Sequence, residues 1–253
     1  LLALEIIKKF PETVIIQNIL GIIFFNQKNL KLSLNHFREA LRLDSSNSDI
    51  YNNLGICLIE MGDYKDAIKI LNYALYNKTK APEVFNNIGI AYEELEDYEN
   101  SIIYYKKAIS QKETYAEAYN NLGSVHQKMK EYDKAKIFLN YAIKFDPKLE
   151  DAYQNIGKLN NILENFQIAK AGFEKAISLN PTNFHNYNEL GNLYLKERNF
   201  EVSKLYFKKA IEINPKYAEP YSNLGQIFIN TGYISKAFKF LKKSKLLDKN
   251  LEN

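Results

Sequence analysis

The side chains able to do chemistry near neutral pH are few and scattered. The 253 residues include three histidines (His36, His126 and His185), one cysteine (Cys57), and 30 Asp and Glu. A zinc site needs three or four His, Cys or acidic ligands at recognisable spacing, and none of these histidines has a His or Cys neighbour. No phosphate-cradling glycine loop, Gly-x-Ser-x-Gly elbow or zincin helix occurs. The expectation is therefore no catalytic residue, no metal and no cofactor. A single cysteine excludes an internal disulfide and suits a reducing compartment, so a cytoplasmic location is expected.

Bulk composition narrows the classes further. The net charge is +4, from 34 basic and 30 acidic side chains. That balance speaks against nucleic acid, whose binders show a dense basic face. The one local cluster is Lys236, Lys239, Lys242, Lys243 and Lys245. The apolar run Ile19 to Phe25 is interrupted by Gly21, and nothing reaches the roughly 20 residues of a spanning helix. Leu1 to Ile7 lacks the basic start and cleavage site of a signal peptide and reads as core. The chain does not begin with Met, and is read as a piece of something longer.

The elements that position these side chains follow from a repeat. Gly21, Gly55, Gly89, Gly123, Gly157, Gly191 and Gly225 each lie 34 residues after the last. Counting each as position 8 gives units 14–47, 48–81, 82–115, 116–149, 150–183, 184–217 and 218–251. Position 4 is Tyr or Phe from Tyr51 to Tyr221, with Gln17 in the first unit. Position 7 is Leu or Ile, position 20 Ala or Ser, and position 27 Ala except Ser244. Position 32 is Pro147, Pro181 and Pro215, and Pro11 shares the lattice, so 1–13 reads as the second helix of a truncated preceding unit. Positions 4, 7, 8 and 11 converge on one helical stripe at 100° per residue. Polar pairs at positions 15 and 16, such as Gly62-Asp63 and Arg198-Asn199, break the helix, and proline stops the second one. One such unit cannot bury its apolar stripes alone, so stability must come from stacking.

This pattern resembles the tetratricopeptide-repeat family over essentially the whole chain. The resemblance implies an all-α fold, a right-handed α-solenoid superhelix of stacked antiparallel helix pairs. It also implies that positions 2, 6, 9 and 13 of each first helix line a concave surface where protein ligands bind.

Those columns supply the candidate site. Position 6 is Asn53, Asn87, Asn121, Asn155 and Asn223, interrupted by Ile19 and Glu189. Each amide offers donor and acceptor, so the ladder could hydrogen-bond an extended peptide backbone or serve packing between repeats. It is similar to the ladder of the O-GlcNAc transferase superhelix. Position 2 carries Asp49, Glu83, Glu117 and Asp151, and Glu60, Glu93 and Glu94 fall on the same side. The helix macrodipole alone favours acids in a first turn; an acidic inner wall attracting basic segments is the functional alternative. Position 9 is Ile22, Ile56 and Ile90 and then turns polar, so an apolar strip is expected in the N-terminal half. Position 5 supplies no lysine, which argues against a clamp for chaperone C-termini.

The leading expectation is a non-enzymatic scaffold or adaptor for an extended protein or peptide segment. The alternatives are the substrate-recruiting arm of a larger protein glycosyltransferase or sulfotransferase, and a self-assembly module pairing through exposed solenoid ends.

Overall fold

A computed structural model describes residues 13–76 and 81–249; the expected helix at 1–13 lies outside them apart from Thr13, which is extended and caps the first described helix. The described residues form fourteen α-helices and no strand. Leu1–Glu131 makes one compact unit and Tyr132–Asn253 another.

The N-terminal unit contains α1 (Val14–Asn26), α2 (Leu30–Leu43), α3 (Ser48–Glu60), α4 (Tyr64–Tyr76), α5 (Pro82–Glu94), α6 (Tyr98–Gln111) and α7 (Ala116–Lys128). The C-terminal unit contains α8 (Tyr132–Phe145), α9 (Glu150–Ile162), α10 (Phe166–Leu179), α11 (Phe184–Lys196), α12 (Phe200–Ile213), α13 (Glu219–Asn230) and α14 (Ile234–Lys249). Hairpin partners pack along each other: α1 on α2, α3 on α4, α5 on α6, then α9 on α10, α11 on α12 and α13 on α14. Each second helix also packs on the next first helix, as α2 on α3 and α10 on α11. The architecture is an all-α stack of antiparallel pairs, as in an α-solenoid.

The repeated glycine has a steric cause. A Cβ on Gly89 would come within 2.6 Å of the Tyr105 ring, and one on Gly191 within 2.5 Å of the Phe207 ring. The glycine thus seats the position-24 side chain, and Phe37, Tyr105, Phe173 and Phe207 are all fully buried there. The small residue at position 20 does more than leave room where it is serine. Ser33 Oγ donates to the Gly21 carbonyl and Ser203 Oγ to that of Gly191, both at 2.8 Å. The position-4 tyrosines anchor the preceding turn: Tyr153, Tyr187 and Tyr221 donate to the carbonyls of Pro147, Pro181 and Pro215.

The hairpin turns share one backbone solution. Position 15 is left-handed throughout: Lys28, Gly62, Glu96, Lys130, Glu164, Arg198 and Gly232 all have positive φ. The next amide then reaches back to the helix, as Asp63 N–H to Leu58 O and Asn199 N–H to Tyr194 O, both 2.9 Å. This is the Schellman closure that satisfies otherwise orphaned carbonyls. Five of the seven positions carry a side chain despite the steric cost of that conformation.

Candidate interaction surface

On the first helices of the N-terminal unit the ladder amides are half-buried and tied backwards. Asn53 Nδ2 donates to Asn18 Oδ1 at 3.0 Å, Asn87 Nδ2 to Asn52 Oδ1 at 2.9 Å, and Asn121 Nδ2 to Asn86 Oδ1 at 3.0 Å. Each position-6 amide therefore clasps the position-5 amide of the preceding first helix, and α1–α3, α3–α5 and α5–α7 pack in succession. One N–H of each ladder residue is spent on this clasp. Among the described residues, Asn53 and Asn87 keep Oδ1 and a second N–H unpaired. Packing and ligand contact are thus compatible uses of one side chain.

The acids around this ladder divide into two groups. Asp49, Glu83 and Glu117 are exposed in the first turns of α3, α5 and α7. Burial, with the fields of nearby Glu117 and Glu83, pushes the Tyr115 phenol up to about 12. Glu60 is instead neutralised by Lys28 at 2.6 Å, and Glu94 accepts from the Tyr64 hydroxyl at 3.3 Å. Glu93 does not belong to an accessible wall, which corrects the expectation from its column. It is buried, and it accepts from the Tyr105 hydroxyl at 2.7 Å, from Ser124 Oγ at 3.1 Å and from Lys128 Nζ at 2.9 Å. The apolar strip is uneven in the same way. Ile22 is 40% exposed, joined by Ile15 and Ile19, whereas Ile56 and Ile90 are half-buried.

The C-terminal unit arranges the same columns differently. Asn223 on α13 donates to Asn188 Oδ1 at 3.4 Å and to Asn192 Oδ1 at 2.8 Å, while Asn155 is half-buried on α9. Glu189 takes the ladder position of α11 and has no donor to offer Gln154, whose Oε1 accepts from Lys158 Nζ at 3.4 Å instead. The α9–α11 apposition is looser than that of α11 and α13. Burial and the nearby Glu219 push the Glu189 carboxyl up, opposed by Lys158 and Lys196. Glu219 accepts from Tyr217 and Asn192, and its carboxyl is held low by these donors against its own burial. Asp151 is pushed up by desolvation and by adjacent Glu150. Phe184, His185 and Tyr217 cluster with ring centroids 4.1–5.1 Å apart.

The residues singled out for chemistry sit in packing roles. Cys57 is buried, its Sγ 3.6 Å from the Leu30 carbonyl, and burial pushes the thiol up. His126 is buried with Nδ1 2.6 Å from Glu131 Oε2, and His36 Nδ1 lies 2.7 Å from the buried Gln17. Among the described residues no group of His, Cys, Asp and Glu could hold a metal ion, and no helix is long and apolar enough to cross a membrane. The column reading missed the clasp acceptors Asn18, Asn52, Asn86 and Asn188. Their signal was present, because position 5 is as rich in asparagine as position 6.

Comparison with known proteins agrees with this geometry. Models of the tetratricopeptide repeat match residues 25–86, 116–149, 150–183, 184–217 and 206–238, and a further TPR repeat model matches 94–130. No curated protein matches the chain in sequence. Among solved structures, a tetratricopeptide repeat protein from Parabacteroides merdae is 19% identical, covering 97% of this chain and 93% of its own, with a TM-score of 0.66. A chain of the APC/C Cut9–Hcn1 hetero-tetramer is 13% identical with a TM-score of 0.75, covering 89% of this chain and 45% of that one. YrrB, a TPR protein with an unusual peptide-binding site, is 23% identical, covering 78% of this chain and 97% of its own, with a TM-score of 0.50. At these identities the structures speak for the fold alone. With repeat models spread along most of its length, the chain belongs to the tetratricopeptide-repeat family and has the build of a protein–protein interaction scaffold.

Proposed function

We propose that the chain is a non-enzymatic scaffold of seven 34-residue repeats (14–251) that binds an extended segment of a partner protein along its ladder columns. The observation that carries this reading is the clasped row Asn53, Asn87 and Asn121. Each amide is held in a fixed orientation by its neighbour, and among the described residues Asn53 and Asn87 retain an unspent acceptor and N–H. A preorganised amide row suits a peptide backbone, which presents N–H and C=O at regular intervals. Asn155 and Asn223 carry the same column in the C-terminal unit. Exposed Asp49, Glu83 and Glu117 favour basic side chains on the bound segment, and Ile22 with Ile15 and Ile19 favours an apolar one. The single buried cysteine supports a reducing compartment, the cytoplasm, as the place of action.

The test is capture from a random peptide library by wild type and by Asn87→Ala/Asn121→Ala. The double variant should bind selected peptides about tenfold more weakly, the effect of losing one or two hydrogen bonds. Equal binding would make the ladder purely structural. Peptides enriched for Lys and Arg, bound more weakly as salt rises, would assign Asp49, Glu83 and Glu117 to the site.

A further inference from the structure

The basic cluster that the ladder columns leave unused lies on α14. Among the residues of this helix one acid, Asp248, stands against Lys236, Lys239, Lys242, Lys243, Lys245 and Lys249. Some lysines on other second helices are matched locally, as Lys204 by Glu201 at 2.7 Å and Lys209 by Glu212 at 2.9 Å. Lys239, Lys242, Lys243 and Lys245 have no ion pair among the described residues and are exposed. Three of them rim a cleft of about 410 Å³ between α13 and α14, whose floor and walls are Tyr221, Phe240 and Leu246. Leu246 is 54% exposed there.

We propose that this cleft is a second docking site, for an acidic protein segment carrying a bulky apolar anchor between its carboxylates. Charge complementarity selects an acidic occupant, since ammonium groups without counter-charges surround the opening. The apolar floor selects an anchor, and the volume accommodates one or two large side chains. The layout of α14 disfavours a lipid surface. Residues four apart read Ile234, Phe238, Lys242 and Leu246 along one line of the helix, with Lys239 and Lys243 along the next. Apolar and cationic groups therefore lie side by side on one face, whereas a helix lying in a membrane interface segregates them to opposite faces.

The probe is a fluorescein-labelled peptide with Phe-Leu flanked on each side by Asp-Glu, followed by anisotropy on the full chain. Wild type should bind it, and Lys239→Glu/Lys243→Glu should weaken binding by at least about tenfold. Leu246→Ser should weaken it several-fold, and Asn87→Ala/Asn121→Ala should leave it unchanged, which separates this site from the ladder. Circular dichroism melts establish that each variant folds; if charge reversal prevents folding, Lys239→Gln/Lys243→Gln gives the same loss at smaller amplitude. Undiminished binding by folded lysine variants overturns the proposal, as does equal binding of a Ser-Ser peptide. So does binding of phosphatidylserine vesicles or oligo-uridine where the acidic peptide fails.

Discussion

The two compact units carry the same columns on the same kind of helix, and an acid of each, Glu93 in one and Glu189 in the other, is met in opposite ways. In the N-terminal unit the ladder beyond Ile19 is a run of three amides, each clasped to the position-5 amide of the preceding first helix, and the buried acid Glu93 is fully matched by Lys128, Tyr105 and Ser124. In the C-terminal unit Glu189 stands in the ladder with no hydrogen-bond donor among the described residues, and burial and Glu219 push its carboxyl up. A buried or half-buried carboxylate is tolerable when donors converge on it and costly when they do not. The N-terminal surface is therefore preorganised, and the C-terminal one holds an unmet electrostatic demand.

The largest expected effect comes from breaking the matched site. Glu93→Ala leaves the buried Tyr105 hydroxyl without its acceptor and Lys128 without its counter-charge. Loss of about 3 kcal/mol is expected, read by hydrogen exchange as faster opening of α5–α7. Glu93→Gln keeps an acceptor and should lose about 1 kcal/mol. Equal exchange in Glu93→Ala and wild type would mean that the network is not what holds these helices.

Much of this architecture was legible in the sequence, because steric demands leave a residue-type signature. Gly at position 8 and Ala or Ser at positions 20 and 27 mark where helices touch, and the position-24 side chains over Gly89 and Gly191 bear that out. The polar functions were not legible in the same way. A column lists residue types and not partners, so the link from Asn87 to Asn52, 35 residues back, and the burial of Glu93 depend on helix placement. The left-handed backbone at position 15 was hidden for a different reason. Only Gly62 and Gly232 advertise it, while Glu96, Lys130 and Glu164 adopt it because the closing hydrogen bonds outweigh the strain.

A middle-sized effect tests the ladder contrast by exchanging the two chemistries. Asn121→Asp removes the donor to Asn86 and sets a carboxylate against that carbonyl oxygen, so about 1–2 kcal/mol should be lost at neutral pH. Glu189→Gln restores an amide at the ladder position and should add about 1 kcal/mol. The folded pKa of Glu189 lies above its ordinary 4.5, so its ionised form costs stability at high pH. That cost fades as pH falls through the folded pKa and is gone below about 4.5. Wild type and Glu189→Gln should therefore converge in denaturation experiments toward acid pH. A gap that stays constant with pH would remove charge from the explanation.

The smallest effect asks whether the difference between the units extends to the backbone. Glu96 in the N-terminal unit and Glu164 in the C-terminal unit occupy the same left-handed position, with φ of 59° and 61°. A side chain there costs roughly 1–2 kcal/mol, part of which glycine would return through the larger entropy of its unfolded chain. Glu96→Gly and Glu164→Gly should each gain about 0.5 kcal/mol, seen as a small rise in thermal midpoint. The gains should match, because the strain belongs to the turn and the two turns are alike. A clearly larger gain at Glu164 would show that the C-terminal unit carries strain beyond its side-chain charges, and the contrast would then lie in the frame as well as in the ladder.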